Sequence, residues 1–323
     1  MKKNIGILAG GYSSESEISL KSAAVVKKYL NPDKYNTFIV NISKNTWSTE
    51  IENAVFLIDK NDFSFTFHNQ KIKFDLVFNA IHGSPGENGL LPSYFEMLKI
   101  PYTGPSPLAA SLTFNKWFCN TFLKQTGITC ATSVIVKKGK TFVTEEILLK
   151  TKLPCFVKPN NGGSSFGVTK VKKPEELEAA INKALEHDTE AIIESFLEGI
   201  EVTCGVYKFN GKTIALPITE IISKNEFFDY AAKYQGDSEE ITPARIPDEL
   251  TKEIQEITIN AFDILNLKSF ARIDFIIVQN KPYLIEVNTV PGLSEQSIVP
   301  QQVKAVGLNL SAFFEMIIED QLS

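Results

Sequence analysis

The chain has 323 residues, 43% of them hydrophobic and 22% charged, and carries a formal net charge of -5. That length suits two or three compact lobes, and the composition is ordinary for a globular protein. The mild acidic balance argues against nucleic acid as the main partner, since a basic face is its usual footprint, but leaves room for an anionic small molecule.

From the N-terminus, Asn4–Ala9, Thr37–Ile42 and Phe74–Ala80 read as strands, and Ile18–Leu30 and Leu90–Leu98 as helices. This alternation predicts βαβ units and a mostly parallel sheet, whose ligands bind at the carboxyl ends of the strands. Those ends carry Gly10-Gly11 and Ile81-His82-Gly83. The first strand meets Gly10-Gly11 too soon to be the core of a signal peptide, and no apolar run approaches the roughly 20 residues of a membrane span. Cys119, Cys130, Cys155 and Cys204 form no metal-ligand spacing and read as core thiols of a cytoplasmic protein.

The Pro101–Pro107 cluster marks a boundary, so residues 1–107 read as one lobe. A second lobe, 108–190, holds a helix over Ser111–Thr126, strands Thr132–Val136, Cys155–Pro159 and Val168–Val171, and a helix Lys173–Glu186 opened by Pro174. A third, 191–323, holds strands Ala191–Phe196, Glu201–Phe209 and Thr213–Ile218, helix Asp248–Leu265 and a final hairpin. The polar segment Thr219–Pro247 shows little periodicity and is expected to act as a lid.

Two segments carry chemistry. Phe156–Gly167 is a strand, a Gly/Ser loop and a strand. Its glycines allow backbone N–H groups to approach phosphate oxygens, and Lys158 adds a positive charge. A plain hairpin with an exposed lysine is the equal alternative. The stronger signal is Phe270–Val278, a turn at Gln279–Lys281, then Tyr283–Asn288. Alternation puts Arg272 and Asp274 on one face, Glu286 and Asn288 on one face, and Ile273, Phe275, Ile285 and Val287 on the apolar side. A hairpin centred on Asn280 sets Asp274 opposite Glu286 and Arg272 opposite Asn288. Two carboxylates so placed repel unless a cation lies between them, and magnesium suits one or two carboxylates with substrate phosphates. A solvated charged face explains the pair less well.

A lysine-bearing glycine loop followed by a hairpin ending Glu-x-Asn resembles the ATP-grasp superfamily. Within it, Gly10–Ser19, His82–Gly89, Pro101–Gly104, Phe227–Tyr234, Arg272–Asp274 and Glu286–Gly292 look like the D-alanine–D-alanine ligase family, from residue 6 to about residue 300. The resemblance implies an α/β ATP-grasp fold with a Rossmann-like N-terminal parallel sheet. It implies ATP and D-alanine as substrates, two magnesium ions (manganese substituting), and a homodimer.

It also implies roles. Glu15 receives the first substrate's ammonium, and His82 lies near that substrate. Lys116, Lys158 and Lys233 hold phosphates. Glu194, Ser195, Phe196 and Leu197 meet adenine, mainly through backbone groups, and Glu201 meets the ribose. Ser164 and Tyr234 join Glu15 in a hydrogen-bonded triad. Asp274, Glu286 and Asn288 bind the metals. Arg272 and the Gly292 N–H stabilise the oxyanion, and Ser297 with the Ile298 backbone holds the second substrate's carboxylate.

Asn115, Ser195 and Gln296 depart from the family pattern, where aspartate, lysine and histidine are common. The expected product is D-alanyl-D-alanine for peptidoglycan precursors. The alternatives are D-alanyl-D-lactate or D-alanyl-D-serine synthesis, another ATP-grasp amino-acid ligase, or a dead nucleotide-binding regulator.

Overall fold

The computed structural model describes residues 2–163, 167–223 and 238–323. Three main sheets organise them. The first has the order β4-β3-β2-β1-β7, from β1 (Lys3–Gly10), β2 (Tyr35–Ile42), β3 (Trp47–Ile51), β4 (Ala54–Leu57) and β7 (Leu76–Asn79). A small hairpin, β5 (Phe65–Phe67) with β6 (Gln70–Ile72), precedes β7. Only β2, β1 and β7 are parallel; β3 and β4 add on antiparallel, so the sheet is mixed rather than parallel throughout. The link from β2 to β3 spans only Ser43–Thr46, too short for a crossover.

The second sheet has the order β10-β9-β11-β8, from β8 (Ser133–Lys137), β9 (Cys155–Pro159), β10 (Thr169–Val171) and β11 (Glu190–Ser195). β11 pairs antiparallel with both β8 and β9. It therefore belongs to the central sheet and does not open the third lobe, as its place in the sequence suggested. The third sheet has the order β14-β13-β12-β15-β16, from β12 (Ile200–Phe209), β13 (Lys212–Ser223), β14 (Ser238–Ile241), β15 (Phe270–Val278) and β16 (Lys281–Asn288). The ends of the expected lid are ordered strands, with Glu220 opposite Ile241 and Ser223 opposite Ser238.

The predicted helix over Ser111–Thr126 is two helices, Pro107–Phe114 and Lys116–Gln125. Asn115 breaks them with an extended backbone, and its side chain accepts the Phe118 N–H at 2.9 Å. That is the N-cap an aspartate would make, so this departure from the family pattern keeps its local function. The helix predicted over Lys173–Glu186 opens as a 3₁₀ turn, Pro174–Glu176, and continues as Leu177–His187.

Apolar burial locks the sheets together. Ile5, Ile7, Leu76 and Phe78 of the first sheet share a core with Phe313, Phe314 and Ile317 of the C-terminal helix Leu310–Leu322. Cys119, Leu123 and Cys130 join Ile273, Phe275, Leu284 and Val287 of the third sheet. All four cysteines are buried and unpaired. No helix among the described residues is long and apolar enough to cross a membrane.

Candidate active site

The hairpin of β15 and β16 turns tightly at Gln279-Asn280, both with positive φ (50° and 60°), the mark of a two-residue turn. Near the turn Val278 faces Lys281 and Phe275 faces Leu284. Continued unbroken, that register would oppose Asp274 to Ile285. The register instead shifts by one, leaving an extra residue on β16, and beyond it Asp274 opposes Glu286 and Arg272 opposes Asn288. A β-bulge thus delivers the pairing that the sequence suggested for a different reason. It also corrects the expected apolar face: Leu284 and Val287 are buried, whereas Ile285 is half-buried beside Glu286 at the cavity.

Asp274 is densely bonded. Arg272 forks onto it, Nε to Oδ1 and a terminal nitrogen to Oδ2, both at 2.8 Å. Asn288 donates to Oδ2 at 2.9 Å and the Thr203 hydroxyl to Oδ1 at 2.5 Å. Arg272, expected on an oxyanion, here serves the aspartate. Among the described residues no three Asp, Glu, His or Cys side chains converge on one point. The donor set of two carboxylates and an amide fits a hard cation completed by phosphate oxygens rather than a dedicated cage.

A cavity of about 630 Å³ opens beside this hairpin. Glu15, Gly83, Lys116, Lys158, Glu194, Glu201, Asp274 and Glu286 all line it. Lys158, half-buried on β9, pairs with Glu194 of the adjacent β11 at 2.6 Å. Burial alone would lower its ammonium, but attraction to Glu194 and Glu286 outweighs this and raises its pKa. Lys116 starts its helix, and its ammonium meets the Gly162 carbonyl of the glycine loop. A cation there opposes the helix dipole unless an anion lies near. Ser195 and Leu197 line the cavity and Phe196 does not. The N–H groups of Ser195 and Phe196 are taken by the Thr132 and Pro154 carbonyls, so these two backbone donors serve the fold rather than adenine.

Glu15 is buried and opens helix Ser16–Tyr29. The glycine loop closes on it: a Cβ at Gly163 would lie 3.0 Å from a Glu15 oxygen. His82 is buried, with Nδ1 on the Val290 carbonyl at 2.7 Å and Nε2 on the Ser22 hydroxyl at 3.2 Å. Nδ1 must donate, so Nε2 accepts. Burial, the main cause, lowers the pKa of His82 and keeps it neutral. Gly292 lies against Ser297, where a Cβ would come within 2.9 Å of the hydroxyl. Ser297 bonds Ser294 at 2.7 Å and leads into helix Ile298–Ala305. Ser164, Lys233 and Tyr234 lie outside the described residues.

Four residues escaped the sequence reading. Glu87 accepts from the N–H groups of Gly83 (2.7 Å) and Val290 (3.2 Å), and burial pushes its pKa up to about 7. Its place inside the His82–Gly89 motif was the available signal. Thr203 stands two residues from Glu201 on the same strand face, which alternation could have shown. Ser22 and the buried Gln302, which bonds Gly205, Thr203 and Thr219, had no sequence signal.

Family models for the D-Ala–D-Ala ligase N-terminus and C-terminus match residues 4–105 and 122–319. The chain is 51% identical over 322 residues to a D-alanine–D-alanine ligase of Flavobacterium johnsoniae, covering 99% of this chain and all of that one. The chain belongs to the D-alanine–D-alanine ligase family. Another family member, from Parabacteroides distasonis, is 48% identical, covering 100% of this chain and 98% of its own. Solved structures of the family share the fold. The VanG D-Ala:D-Ser ligase of Enterococcus faecalis superposes with a TM-score of 0.88 at 32% identity, over 99% of both chains. The Bacillus anthracis D-alanine–D-alanine ligase complexed with ATP gives 0.80 at 29%, over 99% of this chain and 97% of that one.

Proposed function

We propose that the chain joins two molecules of D-alanine, with ATP converted to ADP and phosphate, in the cytoplasm, for peptidoglycan precursors. The observation that carries this reading is the meeting of three chemistries in one cavity. A carboxylate, Glu15, two lysines, Lys116 and Lys158, and the opposed pair Asp274 and Glu286 all line it.

A carboxylate is a poor acyl donor because oxide is a poor leaving group. The first D-alanine carboxylate attacks the γ-phosphorus of ATP, and the acyl phosphate so formed carries a good leaving group. Glu15 holds the ammonium of that substrate. Lys116 and Lys158 exchange Gly162 and Glu194 for phosphate oxygens, one anionic or dipolar partner for another. Asp274, Glu286 and Asn288 would hold two magnesium ions, which neutralise phosphate charge during transfer. Arg272 leaves Asp274 for the oxyanion that forms when the second amine attacks, and the Gly292 N–H joins it. Ser297 and the Ile298 N–H hold the second carboxylate at a helix N-terminus. Glu201 takes the ribose hydroxyls, and the adenine lies against Glu194, Ser195 and Leu197 without using the Ser195 and Phe196 N–H groups.

Three lobes divide this work, with the second ending after Ser195 rather than at residue 190, and two chains form a homodimer. Phosphate release with D-alanine, L-alanine, D-serine and D-lactate, alone and paired, tests the reaction. D-Alanine alone should suffice, with ADP as the nucleotide product. Equal turnover with L-alanine, or AMP as product, contradicts it.

A further inference from the structure

Three backbone groups of the segment between the metal hairpin and the second-substrate helix are held from the loop after β7 and from helix Ser16–Tyr29. The Val290 N–H is bound by Glu87, the Val290 carbonyl by His82, and the Leu293 N–H by the Ser22 hydroxyl at 3.3 Å. Val290 and Leu293 are buried, and Gly292 lies between them. The holders are themselves fixed. Asn79 accepts the Ile81 N–H at 3.1 Å and donates to the Gly86 carbonyl at 3.0 Å. Gly86 has no room for a side chain, since a Cβ would lie 2.3 Å from the Ile81 carbonyl oxygen. Glu87 also closes its own loop, accepting from Gly83 and donating its N–H to the Gly83 carbonyl at 2.8 Å.

We propose that Glu87 is a positioning residue for acyl transfer: its carboxylate ties the His82-Gly83 loop to Val290 and so fixes where the Gly292 N–H points. Each oxygen takes one backbone N–H, one from the His82-Gly83 loop and one from the segment that follows Asn288. A single carboxylate thereby sets the distance between the first-substrate loop and the loop that follows Asn288. An oxyanion donor works only when preorganised, because a small misplacement forfeits most of its effect. Ser22, on the helix opened by Glu15, is the second fastening of the same loop.

The inference rests on reading Gly292 as part of the acyl-transfer machinery. Its signature is uncoupling. If the oxyanion donor is misplaced, attack by the second amine slows while formation of the acyl phosphate continues. Water then attacks the waiting acyl carbon, phosphate leaves, and D-alanine is regenerated, so ATP is consumed without dipeptide.

The test measures ADP and D-alanyl-D-alanine together, with thermal unfolding, in wild type, Glu87→Gln and Ser22→Ala. The glutamine offers one acceptor oxygen and sets an NH₂ group against the other N–H. Glu87→Gln should lower dipeptide formation by about tenfold or more, raise the ADP-to-dipeptide ratio above one, and leave KM for ATP within about twofold. Ser22→Ala should raise the same ratio by less, and it carries the test if Glu87→Gln does not fold. A merely structural role would lower the melting temperature and the active fraction while every active molecule stayed coupled. One ADP per dipeptide in the folded variants overturns the proposal and leaves the reaction assignment intact. A wild type that hydrolyses ATP without making dipeptide overturns both.

Discussion

Lys158 and Asp274 face one cavity from different sheets, and protein groups meet both charges, by different means. Lys158 is met by Glu194, from the neighbouring strand of the central sheet. Asp274 is met mostly from within its own hairpin, by Arg272 two residues back along β15 and by Asn288 across from it, with Thr203 added from β12. A phosphate can replace Glu194 on Lys158 as one anion for another. A cation reaching Asp274 must share or displace a bidentate guanidinium, the strongest kind of charged hydrogen-bonded pair. On the proposed function, Lys158 would exchange one anion for another, whereas the hairpin is balanced against its own arginine.

Four expected outcomes bear on these two sites and the loop beside them. The largest is Glu286→Gln, which keeps shape but removes one opposed carboxylate. Activity should fall by about a thousandfold, while melting of the metal-free protein stays unchanged or rises. Arg272→Lys keeps the charge and loses the fork. Turnover should drop by about a hundredfold, with affinity for magnesium-ATP within about twofold; steady-state kinetics against ATP check this.

Lys158→Met leaves Glu194 buried with Asn120 as its hydrogen-bond partner at 3.2 Å. It should cost about 3 kcal/mol in urea unfolding and raise KM for ATP. Adding Glu194→Gln to it should restore stability without restoring ATP affinity. No recovery would show that the pair is not what holds the two strands' charges in balance.

The smallest effect is in pH. His82 is neutral and buried, with its pKa below the usual 6.5. The folded state then binds fewer protons than the unfolded one, so stability is full above about 6.5 and falls as pH drops below it. Melting temperatures at pH 7.5 and 5.5 should differ less in His82→Gln than in wild type. Equal differences would mean that His82 takes up its proton without leaving the Val290 carbonyl.

How much of this was legible beforehand depended on range. The three parallel strands of the first sheet announce themselves as short apolar runs and the carboxylate hairpin by alternation, because both patterns are local; β3 and β4, short and partly exposed at the sheet's edge, do not. The bulge did not, since nothing in Leu284-Ile285-Glu286 marks the extra residue; the pairing of Asp274 with Glu286 was right although the assumed turn was one residue too long. The break at Asn115 was hidden by apolar periodicity running through both helices. β11 was placed in the wrong lobe because pairing, not sequence order, decides sheet membership. The grip on Val290 and Leu293 joins residues 203 to 271 positions apart, and Glu87, His82 and Ser22 carry no spacing that predicts it.

The central claim is that the bulged hairpin holds the cations that ATP brings. Manganese, counted by electron spin resonance with a non-hydrolysable ATP analogue at saturation, tests it without reference to turnover. Wild type should retain about two ions per chain, and Glu286→Gln should retain fewer, or bind them at least about tenfold more weakly. Two ions held with unchanged affinity in Glu286→Gln would contradict the assignment.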